Sequence, residues 1–350
     1  MRARWLAFAG LLALSGCESL SFYAQAVGGQ LDLMRRAQPL AEWIADPATP
    51  PALRRRLEVA ARIREFASRE LALPDNGSYR SYAELERPYA VWNVVAAPEF
   101  SVEPAKSCFP VAGCVAYRGF FGRDDAERYA AGRRAEGLDV FEYGVPAYST
   151  LGWFDDPLLS TFIRYPEFEL ARLVFHELAH QVVYVKGDTT FNESFAVTVE
   201  EEGVRRWLES EGRGAELGAF REAQARKSEF VALIDDARAR LAQVYAEPLA
   251  PAAMRAAKRA EFARLGERYA ALKARWGGYS GFDRLMAEPN NALLASISAY
   301  TRLVPAFRRE LEAAGGNLGA FYERVKALAR LPEAERDARL ANVRSSPGPS

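Results

Sequence analysis

Apolar positions follow a three- and four-residue rhythm over most of the chain and lose it over one stretch before the middle. Leu53, Leu57, Ala60, Ile63, Ala67 and Leu71 line one face of a predicted helix, which the turn-forming run from Leu73 to Tyr79 ends. A helical N-terminal layer over 17–85 is therefore expected. From Tyr89 the texture changes: YAVWNVVAAPEFSV, CVAYRGFFG and LDVFEYGVPAYST are rich in β-branched and aromatic residues. They predict a small sheet, crossed by a helix from Asp124 to Gly137. Helical spacing returns at Leu170, Leu173, Val174 and Leu178, with Pro166 suited to a first turn and Glu167 and Glu169 to the positive end of the dipole. Lys186 to Thr190 breaks this helix and a second runs from Asn192 to Leu208, so that sheet and helix pair occupy 86–210.

Heptad-like spacing follows in two arms, at Phe230, Ile234, Ala237, Leu241 and Val244 and at Phe262, Leu265, Tyr269, Leu272 and Trp276, with Pro248 and Pro251 at the turn. This predicts a protruding antiparallel helical hairpin over 217–277, read as a structural or solvated arm rather than a substrate lid, with binding of a protein partner as its alternative use. Helices are expected again over 285–342, and the tail 343–350 has a disordered composition. The fold class is α+β, mostly helical, with one domain over 17–342.

Composition adds little except by exclusion. Of 350 residues 49% are hydrophobic, enough for a sizeable core. Lys and Arg (46) balance Asp and Glu (46), so no net field favours nucleic acid. The first residues say more. Arg2 and Arg4 precede an apolar run from Trp5 to Leu14, shorter than the roughly 20 residues a bilayer span needs, and 1–16 reads as a secretory signal. Leu14 to Cys17, LSGC, resembles the lipobox of bacterial lipoproteins, which implies lipidation of Cys17 and a lipid anchor in the cell envelope. Glu18 after the cysteine implies the outer membrane, facing the periplasm. In an oxidising compartment Cys108 and Cys114 are expected to pair as a disulfide, because no further thiols or histidines lie nearby for a metal site.

The chain holds two histidines, and both fall in LVFHELAHQ. On a helix, His176 and His180 stand one turn apart on one face, where their rings can meet one ion. Glu177, rotated by about 100°, stands beside that ion as a general base toward water. This is the HExxH arrangement, and it calls for one zinc ion, a third protein ligand and an open position. With no histidine left, the third ligand is a carboxylate, and spacing alone leaves Glu193 and Glu200 as candidates. A hydrogen-bonded core pair is the plain alternative for the histidines. An oxyanion donor must be a tyrosine or an arginine: Tyr300 first, then Tyr148 and Arg302. The run from Ala147 to Leu159 could present a strand edge to a peptide, or serve as a simple loop.

HELAHQ followed by FNESFA resembles the paired zinc motifs of gluzincin aminopeptidases, although the connection is shorter here. That resemblance implies Glu193 as the ligand and leaves Glu200, on nearly the same helix face, to support a ligand or contact substrate, with Asn192 and Tyr148 nearby. With IREFA, FPVAGCVAYRGFF, AYSTLGWFDDPLL and NNALLASISAY added, the chain is similar to a predicted aminopeptidase family of Gram-negative lipoproteins. The resemblance implies a zincin-like core and zinc hydrolysis of peptides in the periplasm, with His176, His180 and Glu193 as ligands and Glu177 as base. An aminopeptidase also needs carboxylates for the substrate α-ammonium, for which Glu200, Asp155 and Asp156 are candidates. A zinc endopeptidase and a non-catalytic envelope protein with a structural metal are the other readings.

Overall fold

The structure, a computed structural model, describes residues 22–109 and 113–342. Cys17 and the tail 343–350 lie outside the described residues, as does the side chain of Tyr300. The described chain begins with α1 (22–36), followed by β1 (Gln38–Pro39), α2 (Leu40–Ala45) and α3 (Pro51–Leu71). Pro51 sits at the start of α3, and Leu57, Ala60, Ile63, Ala67 and Leu71 are buried along the predicted face. The strands are β2 (Ser81–Ala83), β3 (Val91–Ala97), β4 (Ser107–Phe109), β5 (Gly113–Val115) and β6 (Arg118–Phe120). After α4 (Arg123–Ala135) come β7 (Asp139–Val145) and β8 (Leu158–Leu159).

Two small sheets and one hairpin result. β6, β3 and β7 pair antiparallel in that order, leaving β7 at an edge, while β1, β2 and β8 form a second three-stranded sheet. Alternation along β3 is the expected period of two: Val94 and Ala96 pack with Ala126 and Ala130 of α4, and Val95 and Ala97 face the other way. β4 and β5 form a hairpin in which Cys108 and Cys114 are cross-strand partners and are joined by the expected disulfide. The run from Ala147 to Leu159 is loop as far as Pro157 and ends in β8, whose two residues pair with β2.

Helices make up the rest: α5 (Glu167–Val182), α6 (Thr189–Ser210), α7 (Gly214–Ala246), α8 (Pro251–Arg275), α9 (Asp283–Met286), α10 (Asn291–Thr301), α11 (Val304–Ala313), α12 (Leu318–Ala329) and α13 (Glu333–Asn342). α5 packs along α6, with α3 and α11 also against the pair. α6 is buried on nearly every side from Phe191 to Glu200, which marks it as a central helix rather than a surface one. The largest core cluster draws its members from Leu33 to Leu340, and each fully buried Phe or Leu in it contributes about 1.5–3 kcal/mol. Among the described residues no helix is long and apolar enough to cross a membrane.

The hairpin of α7 and α8 requires a correction. It does not protrude as a solvated arm but lies against the domain, packing on α10 and α6. Lys258 Nζ meets Asp139 Oδ2 at 2.7 Å, Arg255 Nε meets Glu99 Oε1 at 2.6 Å, and Arg238 pairs with Glu103. Heptad spacing could not distinguish the two outcomes, because Phe230, Leu241 and Leu265 would be buried between the arms in either case.

Candidate metal centre

Helical geometry fixes the histidines first. Burial of Leu170, Leu173, Val174 and Leu178 sets the rotation of α5, and this turns His176 and His180 toward α6. Gly187, at φ +83°, occupies the left-handed region that the chain needs to reverse between the helices. Asp188 caps α6 by accepting a hydrogen bond from Phe191 N at 2.9 Å, and its other oxygen accepts from Arg336 Nη2 at 2.6 Å. Asn192 closes the turn twice over. Its Oδ1 accepts from Val185 N at 2.7 Å and its Nδ2 donates to Val185 O at 2.8 Å. The next residue, Glu193, is thereby placed opposite the histidines.

Three ligand atoms converge there. His176 Nε2 and His180 Nε2 lie 3.2 Å apart, and Glu193 Oε2 lies 3.3 Å and 3.8 Å from them. Tetrahedral zinc with bonds of about 2.0–2.1 Å separates its ligands by about 3.3 Å, so two of the three separations match and the third is half an ångström long. Glu193 Oε2 is buried with the two imidazole nitrogens as polar neighbours, an arrangement in which one cation could be shared by all three. The three residues can therefore hold a metal ion, and the expected ligand trio is the one brought together.

Glu200 is not in that trio. Its Oε2 accepts from His176 Nδ1 at 2.8 Å and from Arg172 Nη1 at 3.0 Å, and Lys227 Nζ stands 3.8 Å from its Oε1. Burial would raise this carboxyl, yet Arg172 and His176 outweigh burial and hold it down at about 2. A carboxylate on the outer nitrogen of an imidazole fixes the orientation of the ring and leaves Nε2 for an ion. Of its two expected uses, the structure favours supporting His176 over contacting substrate. Arg172 was missed, although it stands four residues before His176 on the same helix face.

The remaining ionisable groups are set by the same burial. His176 is raised to about 10, because Glu193 and Glu200 outweigh the opposing effect of burial, whereas burial lowers His180 to about 4. Metal binding must displace the proton from His176. Glu177, half-buried beside the trio, is pushed up to about 7 by burial against the pull of His176.

These groups open into a cavity of about 930 Å³ whose wall is largely aromatic and aliphatic. Tyr148 stands in this wall, its ring 5.1 Å from that of Phe121. Lys227, Phe230 and Val231 of the hairpin also line it, so the arm forms part of the site. Two expectations fail. Arg302 is exposed and not in the wall, and neither Asp155 nor Asp156 lines it. Asp156 instead accepts from Thr150 N at 2.8 Å and holds the loop together. Two tyrosines not singled out from the sequence, Tyr117 and Tyr184, line the cavity, and the Glu193 carboxylate adds to burial in raising both. Tyr184 lies two residues past the end of α5, after an extended Val183, so helical spacing from the histidines does not reach it.

A family model described as "Putative aminopeptidase" matches residues 21–340 of the chain. No curated protein and no solved structure matches it.

Proposed function

Because the chain belongs to that aminopeptidase family, we propose that it is a zinc-dependent peptidase with a zincin-like core, removing N-terminal residues from peptides in the periplasm. The convergence of His176, His180 and Glu193 around one point is the observation that carries this reading. Zinc held there would polarise a peptide carbonyl and make water acidic enough to attack near neutral pH. Glu177, beside the trio, would take a proton from that water on its carboxylate and pass it to the leaving nitrogen. Glu200 and Arg172 hold the His176 ring in place. Tyr117 and Tyr184 are candidate hydrogen-bond donors to the developing oxyanion, beside Tyr300 of α10, which packs on α6. A lipid on Cys17 would tether the enzyme to the outer membrane.

One observation favours an endopeptidase as a second reading. Among the described residues the carboxylates of the cavity wall are Glu177, Glu193 and Glu200, and each already belongs to the cluster. None is left for a substrate α-ammonium. Mass spectrometry of a peptide library with free and blocked N-termini separates the two: cleavage confined to free N-termini supports the aminopeptidase, and internal cleavage of blocked peptides supports the alternative. Glu177→Gln should retain zinc and lose about 10²–10⁴-fold in hydrolysis, and wild-type rates in this variant would remove the base assignment.

A further inference from the structure

Tyr23, Val27, Leu31 and Met34 recur along α1 at steps of four, four and three, and all are exposed, by 39 to 58%. Helical geometry gathers them within an arc of about 80°. The opposite side of α1 is docked: Leu33 is buried, and a Cβ on Gly29 would lie 2.1 Å from the ring of Phe121. The stripe is therefore presented by a helix whose rotation is fixed. Beside it, the loop after β7 exposes Trp153 by 73% and Phe154 by 46%, and both line the cavity together with Tyr23. Exposed apolar side chains thus stand both along α1 and on the rim of the candidate active site, with Tyr23 common to the two, and such a grouping is more than singly scattered surface residues.

Charge and chain continuity say what covers this patch. The one acidic residue of α1, Asp32, is paired with Arg36 at 2.9 Å, and Arg35 is exposed beside it. Arg36 also meets the exposed Glu86 at 3.6 Å, and Asp155 is exposed beside Phe154, so the surface near α1 is close to neutral. An apolar stripe flanked by arginines whose neighbouring carboxylates are paired is the pattern of a helix lying in a membrane interface. Phe22 follows the apolar run Trp5–Leu14 by eight residues, a distance of at most about 28 Å in extended chain, and follows Cys17 by five. Either feature, as a membrane attachment, holds the start of α1 at a lipid surface.

We infer that the exposed face of α1 and the Trp153–Phe154 loop lie in the headgroup region of a bilayer, so that the cavity opens at the membrane surface. This goes beyond the peptidase reading and is tested without catalysis. The full-length chain carrying Trp5→Phe is combined with phosphatidylethanolamine–phosphatidylglycerol vesicles bearing brominated acyl chains, and the emission of Trp153 is taken as the difference from Trp5→Phe/Trp153→Phe. Insertion at the depth of an interfacial helix should lower Trp153 emission about twofold in protein that floats with the vesicles. Val27→Glu/Leu31→Glu, on the exposed side and without effect on the thermal midpoint, should abolish that quenching. Failure to float, or unquenched Trp153 in floating protein, overturns the inference. So does Trp153 emission that is shielded before vesicles are added, which would assign the patch to the residues preceding Phe22. Shielding that appears only with a dimeric mass in sedimentation would assign it to a second copy and also overturns it.

Discussion

Glu200→Gln removes one negative charge from the least accessible carboxylate of the site while keeping its volume and one acceptor oxygen. Glu200 is fully buried, with Oε2 2.8 Å from His176 Nδ1 and 3.0 Å from Arg172 Nη1. Its pKa of about 2, against an ordinary 4.5, corresponds to about 3 kcal/mol of stability at neutral pH. The sign follows from the direction of the shift: a depressed carboxyl stabilises the fold above its unfolded pKa and loses that contribution as pH falls through the folded one. The deficit of the variant in urea unfolding should therefore be about 3 kcal/mol at pH 7 and should shrink as pH falls below 4.5. Zinc affinity, measured by competition with a chelating dye at pH 7, should fall about 10–100-fold, the usual effect of losing an outer partner of a ligating imidazole. Glu193→Gln replaces an anionic ligand with a neutral amide and should cost more. If Glu200→Gln lost more zinc affinity than Glu193→Gln, the assignment of ligand and supporting carboxylate would be reversed. A stability deficit that stayed constant with pH would refute the electrostatic account.

Burial raises Asp156 to about 6 despite its bond from Thr150 N, so this carboxylate costs stability as pH rises through its folded pKa; relative to wild type, Asp156→Asn should gain up to about 3 kcal/mol between pH 4 and pH 7 in urea titrations, and a flat difference would contradict the burial argument. Asn192→Ala removes both bonds to Val185 and should cost about 2–4 kcal/mol while weakening zinc binding; a change in KM alone, at full stability and metal content, would mark Asn192 as a substrate contact instead. At Gly203 an added Cβ would lie 2.6 Å from Phe175 Cδ2 and 2.8 Å from Leu71 Cδ1, so Gly203→Ala should lower unfolding free energy by about 1–3 kcal/mol, and an unchanged midpoint would show that the contact yields.

Local periodicity was enough to read the helices that carry the chemistry. The step of four between His176 and His180 needs only the pitch of an α-helix, and Pro166, Gly187 and Asp188 punctuate the pair through their own backbone preferences. The docked hairpin was not readable in the same way. Its contacts to Glu99, Glu103 and Asp139 join charges more than a hundred residues apart in the chain, and no local spacing encodes such pairs. The exposed stripe on α1 was written in the sequence as a face of a helix, but only the packing of Gly29 and Leu33 showed which face is turned outward.

Sequence by itself determined that one imidazole pair would face one carboxylate-bearing helix. The tertiary structure decided which carboxylate does what. Glu193 and Glu200 are seven residues apart, about two turns, so both point from α6 toward α5 and no spacing rule separates them. His176 separates them, because its ring has two nitrogens aimed in different directions: Nε2 toward Glu193 and the other histidine, Nδ1 toward Glu200, which Arg172 bonds in turn. The orientation of that ring is set by how α5 packs on α6, a property of the assembled core.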